Sequence, residues 1–229
     1  MISFIIPAYN EEKYLAPTLA AIHAAARAVG EPYEIVVAND NSSDATAQVA
    51  EAGGARVVTV NKRQIAGTRN AGAAAARGEW LVFVDADTQV NEAVVRAAVE
   101  ALRGGAVGGG AEVRFADGPR WVHWVTAMLV LFFRWVRWAA GCFLFARRDA
   151  FEAVGGFDED YYASEEIHLS RALKKQGRFV VVRAAVTTSA RKAQAHSLFD
   201  LWKIMCKAAL WPRSLKSRKH TKFWYPEKR

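Results

Sequence analysis

Strand-like and helix-like segments alternate along the first half of the chain, and this alternation restricts the fold more than any other feature of the sequence. Each strand-like segment is a short run of apolar residues, many of them β-branched or aromatic, which is typical of a strand buried on both faces. Apolar residues at helical spacing follow each run. Such a chain folds through βαβ crossovers into a mainly parallel sheet, so we expect a Rossmann-like α/β fold. The predicted strands are Ile2–Ile6, Glu34–Ala38, Arg56–Val60 and Trp80–Val84.

The intervening helices have recognisable ends, because glycine ends helices and short polar side chains begin them. The expected signals are Gly30 at the end of the first helix, Ser42 or Ser43 before a short second helix that Gly53 and Gly54 stop, Gly78 after a helix over Ala66–Arg77, and Asn91 as the cap of the fourth.

The second half of the sequence is less regular, and we interpret it as an elaborated acceptor half of the same domain. The glycine-rich run 104–110 follows a helix and precedes a strand, which is the wrong order for a dinucleotide fingerprint, so we expect a close-packed turn. We predict one domain over 1–196, with halves 1–103 and 104–196, and a tail over 197–229. The predicted elements of the second half are Glu112–Phe115, Phe143–Ala146 and Phe179–Arg183 as strands, and Arg120–Trp138 and Ser164–Gln176 as helices.

The basic charge of the chain is concentrated at its C-terminus. The 229 residues carry a formal net charge of +8, and the 52% hydrophobic content is too high for a disordered chain. From Asp200 onward there are nine lysines and arginines against two acids, which leaves the rest of the chain nearly neutral. With Leu198, Leu201 and Trp202 at helical spacing, this tail suits an anionic membrane surface. Nucleic acid is not the expected partner.

The sequence also bears on the compartment. The N-terminus lacks the basic region of a signal peptide, and the longest apolar run, 125–133, is shorter than the roughly 20 residues of a spanning helix. Cys142 and Cys206 lie far apart and are not expected to form a disulfide. We therefore expect a cytoplasmic protein in peripheral contact with the inner face of the membrane.

Polar residues follow three of the predicted strands, where ligands bind in open parallel sheets. They are Pro7–Glu11, Asn39–Ser42 and Asp85–Asp87. The two aspartates of Asp85-Ala86-Asp87 are spaced so that both carboxylates can face one hard cation, with substrate phosphates completing the coordination. The alternative is an ordinary turn whose aspartates bond backbone amides.

In these motifs the sequence resembles the GT-A-fold nucleotide-sugar glycosyltransferases of family 2. The resemblance covers roughly the first 190 residues, in the order and spacing of the family. The stretches that carry it are Phe4–Glu11, Val36–Asp44, Ile65–Gly78, Phe83–Thr88, Gly155–Glu159 and Glu165–Glu166.

The resemblance implies roles for individual residues. Asp40 matches the carboxylate that recognises the base, and Asp85 and Asp87 match the aspartates that hold Mg²⁺ or Mn²⁺. Glu166 stands at the usual catalytic base, with Glu165 as a second candidate. Arg191 lies in what looks like the mobile loop that closes over the nucleotide. The other implied nucleotide-sugar-binding residues are Pro7, Ala8, Tyr9, Glu11, Asn39, Arg69, Asn70 and Ala86.

The sequence departs from the family pattern at three of these positions. Asn39 stands where Asp is frequent, Glu166 is a methylene longer than the usual Asp, and His168 replaces a common Asp. From the residues alone, Glu166 also fits a helix-first-turn acid that follows a capping Ser164. His196 is a further, weaker metal-ligand candidate.

The resemblance implies a metal-dependent enzyme that moves one sugar, with inversion, from a nucleoside-diphosphate sugar to a hydroxyl acceptor. We expect a UDP-linked donor and an acceptor that is a sugar, a lipid or a small molecule. The processive motif Gln-x-x-Arg-Trp does not occur in the sequence, which favours single transfer. Two alternatives stay open: a non-catalytic scaffold that binds anionic membrane or nucleic acid through its tail, and a nucleotidyltransferase.

Overall fold

A computed structural model of the chain describes residues 1–116 and 137–189. In the first half, strand and helix alternate as predicted: β1 (Ile2–Ala8), α1 (Glu12–Val29), β2 (Tyr33–Asn39), α2 (Thr46–Ala52), β3 (Arg56–Thr59), α3 (Ile65–Ala75), β4 (Trp80–Val84), β5 (Thr88–Gln89) and α4 (Glu92–Arg103). The second half contributes β6 (Gly108–Phe115), β7 (Phe143–Arg147), α5 (Arg148–Ala153), α6 (Glu165–Gln176) and β8 (Phe179–Thr188).

The described strands form one eight-stranded sheet in the order β3-β2-β1-β4-β7-β6-β8-β5. β1 is parallel to both β2 and β4, and β2 is parallel to β3. β7 runs antiparallel between β4 and β6, β6 is parallel to β8, and the short β5 is antiparallel to β8. The predicted α/β fold is confirmed, and its parallel pairing is concentrated in the first half.

Helices cover both faces of the sheet, which explains why its central strands are apolar throughout. One face packs on α1 and α4, through residues such as Leu19 and Val95. The opposite face packs on α3, α5 and α6, through residues such as Ala73, Phe151 and Leu173. Because both faces are buried, the polar residues that could bind a ligand are confined to the ends of the strands.

Several predicted helix ends are confirmed. The side chain of Asn91 accepts a hydrogen bond of 3.0 Å from the amide of Val94, as an N-terminal cap does. Gly30 ends α1 in the left-handed conformation, with φ of 80°. α3 ends at Ala75, so the helix end predicted at Gly78 lies too far along the chain.

The predicted serine caps are wrong. α2 begins at Thr46, whose amide donates to Asp44 Oδ1 at 3.0 Å, so neither Ser42 nor Ser43 caps it. Ser164 precedes α6 but adopts φ of 63° and makes no side-chain cap bond.

The glycine-rich run is a strand over part of its length, not only a turn. Gly108–Gly110 begin β6, and neighbouring strands leave no room for side chains there. A Cβ at Gly109 would lie 2.2 Å from the carbonyl oxygen of Val180 and 2.3 Å from the ring of Phe145. The glycines are therefore explained by close packing within the sheet.

Within residues 1–116 and 137–189, no helix combines the length and the apolarity that crossing a membrane requires. Strands from both predicted halves share the sheet, since β7 of the second half lies directly beside β4 of the first. The domain limits at 103 and 196 stay predictions.

Replacing Gly109 by Ala is expected to lower the free energy of unfolding by about 3 kcal/mol, because the added methyl overlaps a carbonyl and a ring that sheet pairing holds in place. Gly30→Ala is the matched control: its Cβ meets nothing within 4 Å, so only the left-handed backbone is penalised, by about 1 kcal/mol. Urea denaturation measures both. A loss at Gly109 no larger than that at Gly30 would contradict the packing explanation.

Candidate active site

The loops that follow β1 and β2 are joined into one surface by short polar side chains. The amide of Asn10 donates to Ser42 Oγ at 3.0 Å, and the amide of Ser43 donates to Asn10 Oδ1 at 2.8 Å. The amide of Glu11 donates to Thr46 Oγ1 at 2.8 Å. These bonds form because β1 and β2 are parallel neighbours, so their carboxyl ends meet at one edge of the sheet.

Four of the predicted nucleotide-binding residues line this edge. Pro7 and Ala8 end β1, and Asn39 ends β2 beside them. Asp40 is only 4% exposed; its amide donates to the carbonyl of Ala8 at 2.8 Å, and its Oδ1 accepts from the amide of Lys62 at 2.6 Å. The structure brings these residues together, and their contact with a nucleotide stays a prediction.

Tyr9 has a partner that the sequence analysis missed. Arg63 donates to the Tyr9 hydroxyl at 3.0 Å, and its guanidinium lies over the Tyr9 ring, 5.0 Å from the centroid. Arg63 follows β3, whose carboxyl end carries none of the motifs of the family resemblance. The same strand-end rule would have identified it, together with Asn61 and Lys62.

Arg69 is the most deeply buried charged side chain of the site, with 2% exposed. Nη1 donates to Glu165 Oε1 at 2.6 Å, and Nη2 donates to Asp85 Oδ1 at 2.8 Å and to the carbonyl of Gly141 at 2.7 Å. The guanidinium lies 5.2 Å from the ring centroid of Phe157. One cation therefore joins the end of β4, the segment before β7 and the first turn of α6. Its predicted contact with the ribose and diphosphate stays a prediction.

The two adjacent glutamates at the start of α6 lie in different environments. Glu165 is buried against Arg69, whereas Glu166 is partly exposed and faces Gly141, where a Cβ would lie 3.5 Å from its carboxyl carbon. Burial, followed by the charge of Glu165, raises the pKa of Glu166 to about 8, although Arg69 opposes the shift. A carboxylate with a raised pKa is a stronger base than an ordinary glutamate, which suits proton abstraction.

The aspartates of the predicted metal motif follow β4 directly. Asp85 bonds Arg69 through Oδ1, so the alternative of a carboxylate tied only to its own turn does not describe it. Ala86 is buried, and its carbonyl accepts a hydrogen bond from Thr18 Oγ1 at 2.8 Å. Desolvation, followed by the charges of Asp85 and Asp87, raises the pKa of the Cys142 thiol.

This donor set fits a divalent cation that binds with its substrate. Among the described residues there is no group of three metal-ligating side chains, so no all-protein cage is present in that part of the chain. Mg²⁺ usually takes one or two carboxylates and completes its octahedron with water and phosphate oxygens. Asp85 and Asp87, two residues apart directly after β4, offer two hard carboxylates of that kind, and Mn²⁺ accepts the same ligands.

Asp87 also borders a cleft of about 180 Å³ between α1 and the sheet. The cleft lies on the face of the sheet that α1 covers, and Asp87 is the member of the aspartate pair that lines it. The residues around it are Tyr14, Pro17, Thr18, Asp87, Gln89, Ala116, Thr187, Thr188 and Ser189.

Asn70 bonds a loop of the protein. Its Oδ1 accepts from the amide of Phe157 at 2.9 Å, and its Nδ2 donates to the carbonyl of Phe157 at 2.9 Å and to Glu159 Oε1 at 3.1 Å. Gly156 adopts φ of 74° there, and a Cβ would lie 2.7 Å from Asn70 Oδ1. The Gly155–Glu159 motif is thereby attached to α3, next to Arg69. Contact of Asn70 with a ligand stays a prediction.

Some predictions concern residues outside the described ranges. They are Arg191, the aromatic helix over 120–138 for nearly its whole length, His196, and the amphipathic and basic tail over 197–229 with its membrane or nucleic-acid partner.

Comparison with known proteins gives a consistent family and fold. A family model described as "Glycosyl transferase family 2" matches residues 3–155. Among curated proteins, the undecaprenyl-phosphate 4-deoxy-4-formamido-L-arabinose transferase of Pseudomonas paraeruginosa is 36% identical over 96 residues, which cover 39% of this chain and 28% of that protein. The chain thus matches less than half the length of such relatives, the share being 41% for the Pseudomonas aeruginosa protein of the same name.

Two solved structures share the fold. The mannosyltransferase PcManGT from Pyrobaculum calidifontis, in complex with GDP-Man and Mn²⁺, gives a TM-score of 0.67 at 21% identity and covers 96% of this chain and 64% of that one. The glucosyl-3-phosphoglycerate synthase of Mycobacterium tuberculosis, in complex with Mn²⁺, UDP and glucosyl-3-phosphoglycerate, gives a TM-score of 0.61 at 22% identity over 93% and 79% of the two chains. The likeness confirms the predicted GT-A type of fold.

The raised pKa of Glu166 predicts a pH-dependent stability. A folded-state pKa of about 8 against an ordinary 4.5 means that the folded protein holds this proton more tightly. The stabilising contribution is complete below the unfolded pKa and is lost as the pH rises through the folded pKa. With EDTA present, we expect the free energy of unfolding of the unaltered protein to fall by about 1–2 kcal/mol relative to that of Glu166→Gln between about pH 5 and about pH 9. This figure allows for solvent at the partly exposed carboxyl.

Denaturant unfolding at several pH values measures this difference. Glu152→Gln is the control, because that carboxyl is largely exposed and pairs with Arg148 at 3.3 Å. If the free energies of unfolding of Glu166→Gln and of the unaltered protein change in parallel over the whole pH range, the raised pKa assigned to Glu166 is wrong.

Proposed function

The chain belongs to glycosyltransferase family 2, and from this membership we propose that it transfers a single sugar, with inversion, from a nucleoside-diphosphate sugar to a hydroxyl acceptor with the help of a divalent cation. The observation that carries the proposal is the junction at Arg69. The same side chain contacts Asp85 of the aspartate pair at 2.8 Å and Glu165, the neighbour of Glu166, at 2.6 Å. A phosphate-side group and an acceptor-side group thus belong to one site.

The donor nucleotide would lie along the edge formed by the loops after β1, β2 and β3. Asp40 would accept a hydrogen bond from the imide of a uracil ring through the oxygen that Lys62 does not bond. Tyr9 offers an aromatic face beside it. This arrangement supports a UDP-linked donor. The two fold relatives were crystallised with GDP-Man and with UDP, so the fold admits either base.

Asp85 and Asp87 would hold Mg²⁺ or Mn²⁺ against the diphosphate. When bound, the cation neutralises the negative charge that builds on the departing nucleoside diphosphate. The protein's part is to fix the carboxylates: Arg69 sets the orientation of Asp85 through Oδ1, and the bond from Thr18 to the carbonyl of Ala86 holds the turn between them.

Glu166 would act as the general base. The acceptor oxygen attacks the anomeric carbon, the bond from that carbon to the diphosphate oxygen breaks, and the electron pair leaves with the nucleoside diphosphate. The acceptor proton passes to Glu166, whose raised pKa increases its affinity for the proton. A single displacement of this kind inverts the configuration at the anomeric carbon. Glu165 is less suited, because it is buried against Arg69.

The acceptor is proposed to be lipid-linked, and the protein to work at the inner membrane surface. Two observations support this: the relative from Pseudomonas paraeruginosa is named as an undecaprenyl-phosphate sugar transferase, and the basic charge of the chain is concentrated after residue 200. Anionic lipid would attract such a segment.

Substitutions at the aspartate pair and at the base are expected to separate binding from transfer. Asp87→Ala should abolish Mn²⁺-dependent binding of nucleoside diphosphate, because one of two carboxylate ligands is lost. Glu166→Gln should leave that binding within about twofold and lower transfer by 10²–10⁴-fold, the usual contribution of a general base.

The assay incubates the protein with Mn²⁺ or Mg²⁺ and a panel of UDP- and GDP-sugars, and measures nucleoside diphosphate release alongside calorimetric binding. Glu152→Gln is the control that should behave as the parent does. Absence of both binding and release in the parent would refute the proposed function. Full transfer by Glu166→Gln would place the base elsewhere.

The Asp40 assignment predicts a base preference. In the presence of Mn²⁺, Asp40→Asn should weaken UDP binding by about tenfold, since a charged acceptor is lost while the bond to the amide of Lys62 is kept. Calorimetry with UDP and GDP measures the change. An equal loss for both nucleotides, or none for UDP, would mean that Asp40 does not recognise the base.

A further inference from the structure

We infer that Arg69 is a positioning residue that couples the aspartate pair after β4 to the glutamates that begin α6, without itself contacting the donor. This inference rests on the proposed function and adds to it a mechanical link between the two ends of the site. It replaces, for this residue, the nucleotide contact that the family resemblance implies. The link consists of one buried guanidinium and acceptors from three separate segments.

Burial argues against direct contact with a ligand. Arg69 is 2% exposed, and both of its Nη atoms already donate to protein acceptors at 2.6–2.8 Å. The remaining nitrogen, Nε, is buried and has no hydrogen-bond partner among the described residues. A donor phosphate would have to displace Asp85 or Glu165 to reach this side chain.

Arg69 has more hydrogen-bond acceptors around it than the neutralisation of its charge requires. One carboxylate balances one guanidinium, and Glu165 is nearly as buried as Arg69, with 5% of its side chain exposed. Arg69 nevertheless takes Asp85 as a second carboxylate, and the carbonyl of Gly141 as a third acceptor. A planar fork that donates from both Nη atoms fixes the relative positions of these groups, which a lysine ammonium does not do.

The supporting residues stiffen the guanidinium itself. Phe157 lies under it at 5.2 Å and packs edge-on against Phe83 of β4 at 5.0 Å. The backbone of Phe157 is bonded in both directions by Asn70, the residue after Arg69 on α3. The Gly155–Glu159 motif therefore serves to hold an aromatic platform under Arg69.

The consequence is that the aspartate pair, which would face the donor, and the start of α6, which would face the acceptor, move together. A shift of Asp85 toward a bound cation would act, through Arg69, on Gly141 and on the first turn of α6. Glu166 stands in that turn and faces Gly141. Groups that orient a metal-ligating carboxylate typically contribute 10–100-fold to metal affinity or activity.

The test compares Arg69→Lys with Arg148→Lys, a matched control in which an arginine also bonds main-chain carbonyls, at 2.8 Å for Gly78 and 3.3 Å for Ala73, but far from the site. The first readout is hydrogen–deuterium exchange of the full chain with EDTA. Arg69→Lys should accelerate exchange in 85–88, 141–143 and 165–168, and Arg148→Lys should not.

The second readout is function. Arg69→Lys should weaken Mn²⁺-dependent UDP or GDP binding and lower kcat, each by about 10–100-fold. Glu165→Gln keeps the arginine and the Asp85 bond but alters the other end of the link, so it should lower kcat and also weaken nucleotide binding, by a smaller factor than Arg69→Lys does. Removing one partner of a buried pair is strongly destabilising, so Arg69→Lys could fail to fold. In that case Glu165→Gln still tests the inference.

Three outcomes would overturn the inference. They are unchanged exchange at the three segments in Arg69→Lys, changed exchange with unchanged binding and kcat, and a loss of kcat in Glu165→Gln with no change in its nucleotide binding. If the parent itself neither binds nor turns over any nucleotide, the proposed function fails, and the exchange data alone then decide whether Arg69 positions the three segments.

Discussion

The site depends on one buried cation. Arg69 has been removed from water by its position on α3, and a buried guanidinium is tolerated only when acceptors surround it. Asp85, Gly141 and Glu165 provide them, each from a different segment. Because a buried charge left without partners is costly, these segments are held close whether or not a ligand is present. The Nε atom of Arg69 has no hydrogen-bond partner among the described residues, so the arrangement does not give the greatest possible stability.

The sheet topology makes this arrangement possible. Parallel pairing of β1 with β2 and β4 places the loops after these strands at one edge, where the polar motifs meet. Antiparallel pairing of β7 with β4 then brings the start of β7 to the same edge, with Phe143 opposite Val84. The segment that carries Gly141 and Cys142 therefore lies beside Asp85. A sheet that was parallel throughout would place that segment at the opposite edge.

Much of the architecture followed from local patterns. The buried strands, the Asn91 cap and the polar strand ends were predictable because each depends on a few neighbouring residues. The errors also have local causes. Gly108–Gly110 have the composition of a turn, yet they form a strand because they pair with β7 and β8, which lie too close to leave room for side chains. The serines before α2 have the chemistry of caps, but Asp44 lies closer to the first helical amide. Arg63 was not predicted because it follows β3, whose end carries none of the family motifs.

The sequence by itself determined the family, the order of strands and helices, and which acidic residues stand at strand and helix ends, because motif and periodicity are properties of short stretches of chain. Only the tertiary structure decided how those residues differ from one another. Glu165 and Glu166 are adjacent and chemically identical, yet one is buried against Arg69 and the other is partly exposed with a raised pKa. Part of that difference arises from Arg69, which pairs with Glu165 from 96 positions away along the chain, since burial and charge act through space.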